Sequence, residues 1–256
     1  MKKYLLIFCA ALVFTACEQE EKPLQFTNYS VEKSYEECNP EEGDCAFISI
    51  SYPVAENKTD AASRINEEIK NHIIGIVDYE EEEKSASIEE LANHFIKNYE
   101  TNAEDFSEYE LAWEGFVFAE ITKKSPELIS IRFNSRMFTG GAHGYSSISF
   151  LNFNPETGKA YSHNELFTPE FKSYFESKFR EDQGIPEQDS INSTGLFFED
   201  DKFVLPENIG FTEEGLVLHY NAYEIASYAE GEFTYRFPYD EIDQFLKISQ
   251  EEAPLE

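Results

Sequence analysis

Residues 113–154, "WEGFVFAEITKKSPELISIRFNSRMFTGGAHGYSSISFLNFN", decide the fold. Apolar and polar residues alternate along them, and in extended backbone successive side chains point to opposite faces. "WEGFVFAEITKK" and "ELISIRFNSRMF" read as two strands. In the second, Ile129, Ile131 and Phe133 share one face and Ser130, Arg132 and Asn134 the other. "YSSISFLNFN" reads as a third strand, closed by the turn-forming "NPETGK". Three strands in succession make a meander.

Upstream, two strand-like runs at about 25–35 and 44–54 flank a loop with Cys38 and Cys45. Ile65, Ile69, Ile73 and Ile76 then recur at helical spacing. After "DYEEEE" (78–83), a solvated loop, Ser87 and Glu90 form a capping-box pattern. Ile88, Leu91, Phe95 and Tyr99 lie along one face of that second helix. Downstream, Thr168 and Pro169 cap a helix with Phe171, Tyr174, Phe175 and Phe179 on one face. Strands near 203–209, 215–223 and 232–238 follow, and "YDEIDQFLKI" reads as a closing helix. This order predicts an α+β fold, a largely antiparallel sheet packed with helices, as two α+β modules in tandem. The modules are expected at 25–110 and 111–248.

Residues 1–17, "MKKYLLIFCAALVFTAC", have the basic start, short apolar run and small-residue ending of an export signal. The ending resembles a lipoprotein box, which implies cleavage before Cys17 and its acylation. Residues 18–24, beginning "EQEEKP", read as an acidic tether. They also resemble the tags that send some lipoproteins to the outer face of the outer membrane. The expected location is the cell envelope, on either face of that membrane.

The chain carries 51 acids against 20 bases. Removing the leader takes two lysines and no acids, so the net charge moves from −31 to −33. Such a charge repels nucleic acid and draws cationic partners. Fifteen Tyr and 23 Phe exclude a disordered acidic chain. Of four cysteines, Cys9 leaves with the leader and Cys17 takes lipid. Cys38 and Cys45 close a short loop and read as a disulfide in an oxidising compartment. Without nearby histidines they make a poor zinc site, and "NPEEGD" lacks the spacing of a calcium loop. No metal or cofactor is expected.

Four features now combine: "FTGGAHG" (138–144), "FNPETGK" (153–159) followed by "ELF", the helix after it, and "FTEEGLVLHYNAYEIASYAEGEFTYRFPYDEI" (211–242). Together they resemble domain-of-unknown-function family 3298, the RsiV-type C-terminal domain, over about residues 110–248. Its tyrosine-rich segment is met here by Tyr220, Tyr223, Glu224, Ile225, Ala226, Tyr228, Ala229 and Gly231. Residues 25–105 resemble its N-terminal companion, family 4163. The resemblance implies an exported recognition module working near cell-wall glycan or its hydrolases. One branch of the family is an anti-sigma factor that binds lysozyme, and another is joined to a peptidoglycan deacetylase. This chain lacks the cytoplasmic and transmembrane parts of the first and the catalytic domain of the second.

The candidate ligand site is the glycine-histidine loop, Gly140, Gly141, Ala142, His143 and Gly144, facing Tyr220, Tyr223 and Glu224. Gly140 and Gly141 allow positive φ or close approach of another chain. His143 either locks the turn onto a carbonyl or presents an imidazole to a ligand. Tyrosines offer a stacking face and a hydroxyl together. Catalytic patterns are missing from the sequence: none of the five histidines sits in HExxH, and there is no G-x-S-x-G elbow. The expected function is therefore non-catalytic binding of a cationic protein such as lysozyme, or of a cell-wall glycan. A glycan-acting hydrolase and a purely structural lipoprotein are the alternatives.

Overall fold

The structure is a computed structural model that describes residues 23–40, 45–78, 84–105 and 111–249. The leader, Cys17, residues 18–22 and the glutamates of 79–83 lie outside the described residues.

Strands β1 (Phe26–Ser34) and β2 (Phe47–Ala55) form an antiparallel hairpin. Two helices follow, α1 (Asp60–Val77) and α2 (Ile88–Asp105). The meander comes next as β3 (Glu114–Lys124), β4 (Ile129–Phe138) and β5 (Tyr145–Phe153). All five strands lie in one sheet in sequence order. Only β2 and β3 run parallel. The helix pair explains this, since parallel neighbours need a long crossover where antiparallel ones need only a turn.

The helices start where their caps predict. The Thr59 hydroxyl accepts the Ala62 N–H at 3.2 Å, and the Ser87 hydroxyl accepts that of Glu90 at 3.1 Å. The Glu90 carboxylate reaches one residue further back than a capping box requires, to the Ala86 N–H. Ile65, Ile69 and Ile73 are fully buried against Ile48, Ile50, Ile129, Ile131 and Phe133. Ile74 joins them, and Ile76 is only half-buried. Each such side chain contributes about 1.5–3 kcal/mol by leaving water.

The boundary read at residue 110 is no seam in the hydrogen bonding. β2 pairs with β3 across it, and one apolar core extends from Leu24 to Phe153. The second module is built after β5. It holds α3 (His163–Leu166), α4 (Glu170–Gln183), an antiparallel sheet of β6 (Asn208–Phe211), β7 (Gly215–Tyr220) and β8 (Phe233–Pro238), and α5 (Tyr239–Ile242). Its core is aromatic: Phe171, Phe175 and Phe179 of α4 are fully buried against β7 and β8.

Two expected elements are corrected. The strand read at 203–209 is confined to β6, because Pro206 has no N–H to give a ladder. The closing helix is one turn, α5, and a 3₁₀ turn to Phe245. The chain then pairs with the approach to α4 instead: Lys247 N–H donates to the Leu166 carbonyl and Thr168 N–H to that of Phe245.

The modules meet where β6 lies on the outer face of the large sheet. Thr122 Oγ1 donates to the Phe211 carbonyl at 2.6 Å, Phe211 N–H to Ser130 Oγ at 3.0 Å, and Asn152 Nδ2 to the Ile209 carbonyl at 2.7 Å. Gly210 rests on the Phe150 ring so closely that a Cβ there would come within 1.9 Å of it. Polar residues on this face of β4 and β5 are buried because they meet the backbone polar groups of β6.

Cys38 and Cys45 are bonded across a sequence separation of 7. Replacing both by serine is expected to lower stability by about 2–3 kcal/mol, from the loop-closure entropy of so short a ring. Urea unfolding of the double variant beside wild type measures this. An unchanged midpoint would show that the hairpin holds the loop without the bond.

Candidate functional site

The β4–β5 hairpin turns through residues 139–144. Gly140 and Gly141 have φ of 91° and 90°, conformations that a side chain disfavours. A Cβ on Gly141 would touch nothing, so backbone conformation and not close approach explains this glycine. Gly144 differs: its Cβ would lie 3.0 Å from the Met137 carbonyl across the hairpin. Ala142 and His143 are exposed at the tip. His143 Nδ1 lies 3.0 Å from the Gly144 carbonyl, which fixes the ring.

The second half of the site comes from the segment after β7. Asn221 pairs with β5 as a strand neighbour would. Its Oδ1 accepts the Ile148 N–H at 2.8 Å and its Nδ2 donates to the Ile148 carbonyl at 3.1 Å. Its own N–H donates to Glu224 Oε2 at 2.8 Å, and its carbonyl accepts the Glu224 N–H at 3.1 Å. This tight turn forces Tyr223 into the left-handed region at φ 69°. A non-glycine residue there costs about 1 kcal/mol or more and persists only where its surroundings hold it. The result is a tyrosine thrown into solvent, 53% exposed.

Tyr228, 43% exposed, bridges the halves. Its ring stacks on His143 with centroids 4.3 Å apart and planes 18° apart, and the Tyr223 ring lies 5.4 Å away on a 31° tilt. Three rings from two modules thus form a row on the surface. Tyr145, at the start of β5 and 42% exposed, lies close enough that Glu224 and Glu232 reinforce the rise that burial gives its hydroxyl pKa. Burial likewise raises the Glu224 carboxyl, helped by the charge of Glu207 and opposed by N–H bonds from Asn221 and Glu207. The patch is aromatic and anionic. It can stack on flat or apolar groups and attract cations.

Of the residues read from sequence, the structure brings His143 and Tyr223 into one row through Tyr228. Glu224 braces the turn and adds charge. Tyr220 is corrected: it is fully buried, donates its hydroxyl to the Val204 carbonyl at 2.6 Å, and packs among Phe175, Phe179 and Phe198. It cannot meet a ligand. Alternation already held that signal, because Leu216, Leu218 and Tyr220 fall on one face of β7. Tyr228 is named from sequence only within the tyrosine-rich segment, and Tyr145 and Asn221 are not singled out there. Among the described residues no group of three or more His, Cys, Asp or Glu side chains could hold a metal ion.

Comparison with known proteins agrees with a two-part chain. Residues 159–240 match the family model described as "Protein of unknown function (DUF3298)", and residues 39–146 match that of "Deacetylase PdaC". The loop at 138–144 therefore falls in the PdaC match, and the DUF3298 match is narrower than the expected 110–248. No curated protein matches the chain. Two crystal structures of DUF3298 family members share its fold. One, from Bacteroides fragilis, is 19% identical with a TM-score of 0.63, over 87% of this chain and 93% of that one. The other, from Pseudomonas aeruginosa PAO1, is 20% identical with a TM-score of 0.59, over 88% and 95%. The chain thus carries a PdaC-like N-terminal domain followed by a DUF3298 domain.

Proposed function

We propose that this is a lipid-anchored envelope protein that captures a basic protein, of which lysozyme is the model case, without transforming it. Cys17 would carry the lipid, on the outer membrane. One observation supports the reading: His143, Tyr228 and Tyr223 form an exposed row of rings, and Tyr223 is turned outward by a strained backbone position. Rigid aromatic rings give large contact area at low entropic cost, and they recur as the anchors of protein interfaces. The surrounding glutamates and the net charge of −31 select a cationic partner.

Calorimetry of the leaderless chain with a basic lysozyme tests it. Binding is expected at low salt and should weaken as salt rises. Tyr228→Ala should weaken it by about 30-fold, as loss of an anchoring ring does, with the melting temperature unchanged. No binding at low salt removes the proposal. Peptidoglycan fragments form the second arm, since a cell-wall glycan could also stack on the row. The PdaC match gives that arm a further readout, release of acetate from N-acetylated glycan. Turnover would replace capture with catalysis.

A further inference from the structure

A cleft of about 490 Å³ lies between the outer face of the large sheet and that of the β6–β8 sheet, and none of the three rings of the aromatic row lines it. Ile148, Phe150 and Val217 give it an apolar floor, and two of the chain's five arginines, Arg132 and Arg236, line it. Glu213 and Glu214 line it as well.

Two of the four acids around the cleft are paired with a lysine or an arginine. Glu213 is paired with the buried Lys123 at 2.6 Å, and Glu120 with Arg132. Glu232 lies 3.7 Å from His219 Nε2, and Glu214 stands exposed at the edge. His219 is fully buried and satisfied: Nδ1 meets the Thr234 hydroxyl at 2.8 Å and Nε2 meets Asn221 Oδ1 at 3.1 Å. Oδ1 is an acceptor, so Nε2 carries a proton. Burial, the first cause, lowers its pKa and the nearby Arg236 adds to this, while Glu232 and the Asn221 bond oppose it. Two donors are left over. Arg132 Nε is buried with no hydrogen-bond partner, and Arg236 has no carboxylate within 4.0 Å, among the described residues.

We infer that this cleft binds a small organic carboxylate, received by the Arg236 guanidinium, with the rest of the ligand on Ile148, Phe150 and Val217. A guanidinium presents parallel N–H groups that match a carboxylate, and the volume suits a small ligand. A sugar acid and a peptide C-terminus both supply such a group. Titration calorimetry of the leaderless chain with glucuronate and with N-acetyl-alanyl-alanine separates these sources, and the methyl ester of each removes the charge alone. One acid is expected to bind, with its ester about tenfold weaker or more. Arg236→Gln should cost a similar factor without moving the melting temperature, and Arg236→Lys should keep part of the affinity. Arg236 is exposed, so these variants fold. Failure of both acids at millimolar concentration, or equal binding by Arg236→Gln, overturns the inference. Lysozyme capture is read separately, because neither Arg236 variant touches the aromatic row.

Discussion

Phe175→Ala is expected to destabilise the chain by about 3–5 kcal/mol, the usual cost of emptying a buried aromatic site. The ring is fully buried in the middle of α4. Its centroid lies 5.1 Å from that of Tyr235, 5.6 Å from Phe203, 5.9 Å from Phe237 and 6.3 Å from Phe179. These neighbours are rigid plates held on α4, on β8 and in the segment before β6, so they cannot close over the hole, and the cavity persists. Urea unfolding should show the midpoint falling at constant slope. Tyr223→Ala provides the contrast. That side chain is exposed at a backbone position strained for any residue but glycine, so its loss should move stability by less than about 0.5 kcal/mol. Equal losses for the two would make Tyr223 a structural residue and remove the reason for assigning it to a binding surface. A loss below about 1 kcal/mol for Phe175→Ala would mean that the aromatic core yields around the gap.

The same two residues show where sequence is legible and where it is not. Phe171, Phe175 and Phe179 recur every four residues, and a helix places such positions on one face, so their burial could be read directly. The meander was equally clear from the alternation around Ile129, Ile131 and Phe133. The division into modules was not. Nothing local to β2 or β3 reports that they pair in parallel, because that contact is made only after α1 and α2 have crossed between them. A boundary placed after α2 by the change in periodicity therefore cut through a sheet.

The candidate site was legible only in part, for a different reason. Its segment holds three tyrosines, and composition alone treats them alike. Tyr220 ends a strand whose alternation turns it inward, Tyr223 is turned outward by the Asn221–Glu224 turn, and Tyr228 begins a 3₁₀ turn with no period to read. Only the meeting of that turn with the hairpin tip makes a row of rings, and the meeting depends on Asn221 docking to Ile148 across the modules. Long-range contacts of this kind leave no mark in local spacing.

Between pH 6.5 and 4 the chain should lose about 3 kcal/mol through His72 alone. His72 projects from α1 onto the large sheet, with its ring centroid 4.5 Å from that of Phe133 and Nε2 2.7 Å from Ser149 Oγ. Burial lowers its pKa to about 4, and among the described residues no carboxylate offsets the effect. The unfolded chain, with an ordinary histidine pKa of about 6.5, therefore takes up a proton first as the solution is acidified. Stability from this group is complete above about pH 6.5 and lost as pH falls toward 4. His219, lowered in the same direction by burial, adds to the slope, and Glu224, whose carboxyl is raised, opposes it because its protonation favours the folded state. Wild type alone would mix these effects, so the measurement is the difference between wild type and His72→Gln. Urea midpoints at about pH 7.5, 6 and 5 should converge as the pH falls, since glutamine removes the titration while keeping a polar group for Ser149. Parallel curves would mean that His72 is protonated in the folded chain, with α1 open enough over Phe133 to let water reach the ring.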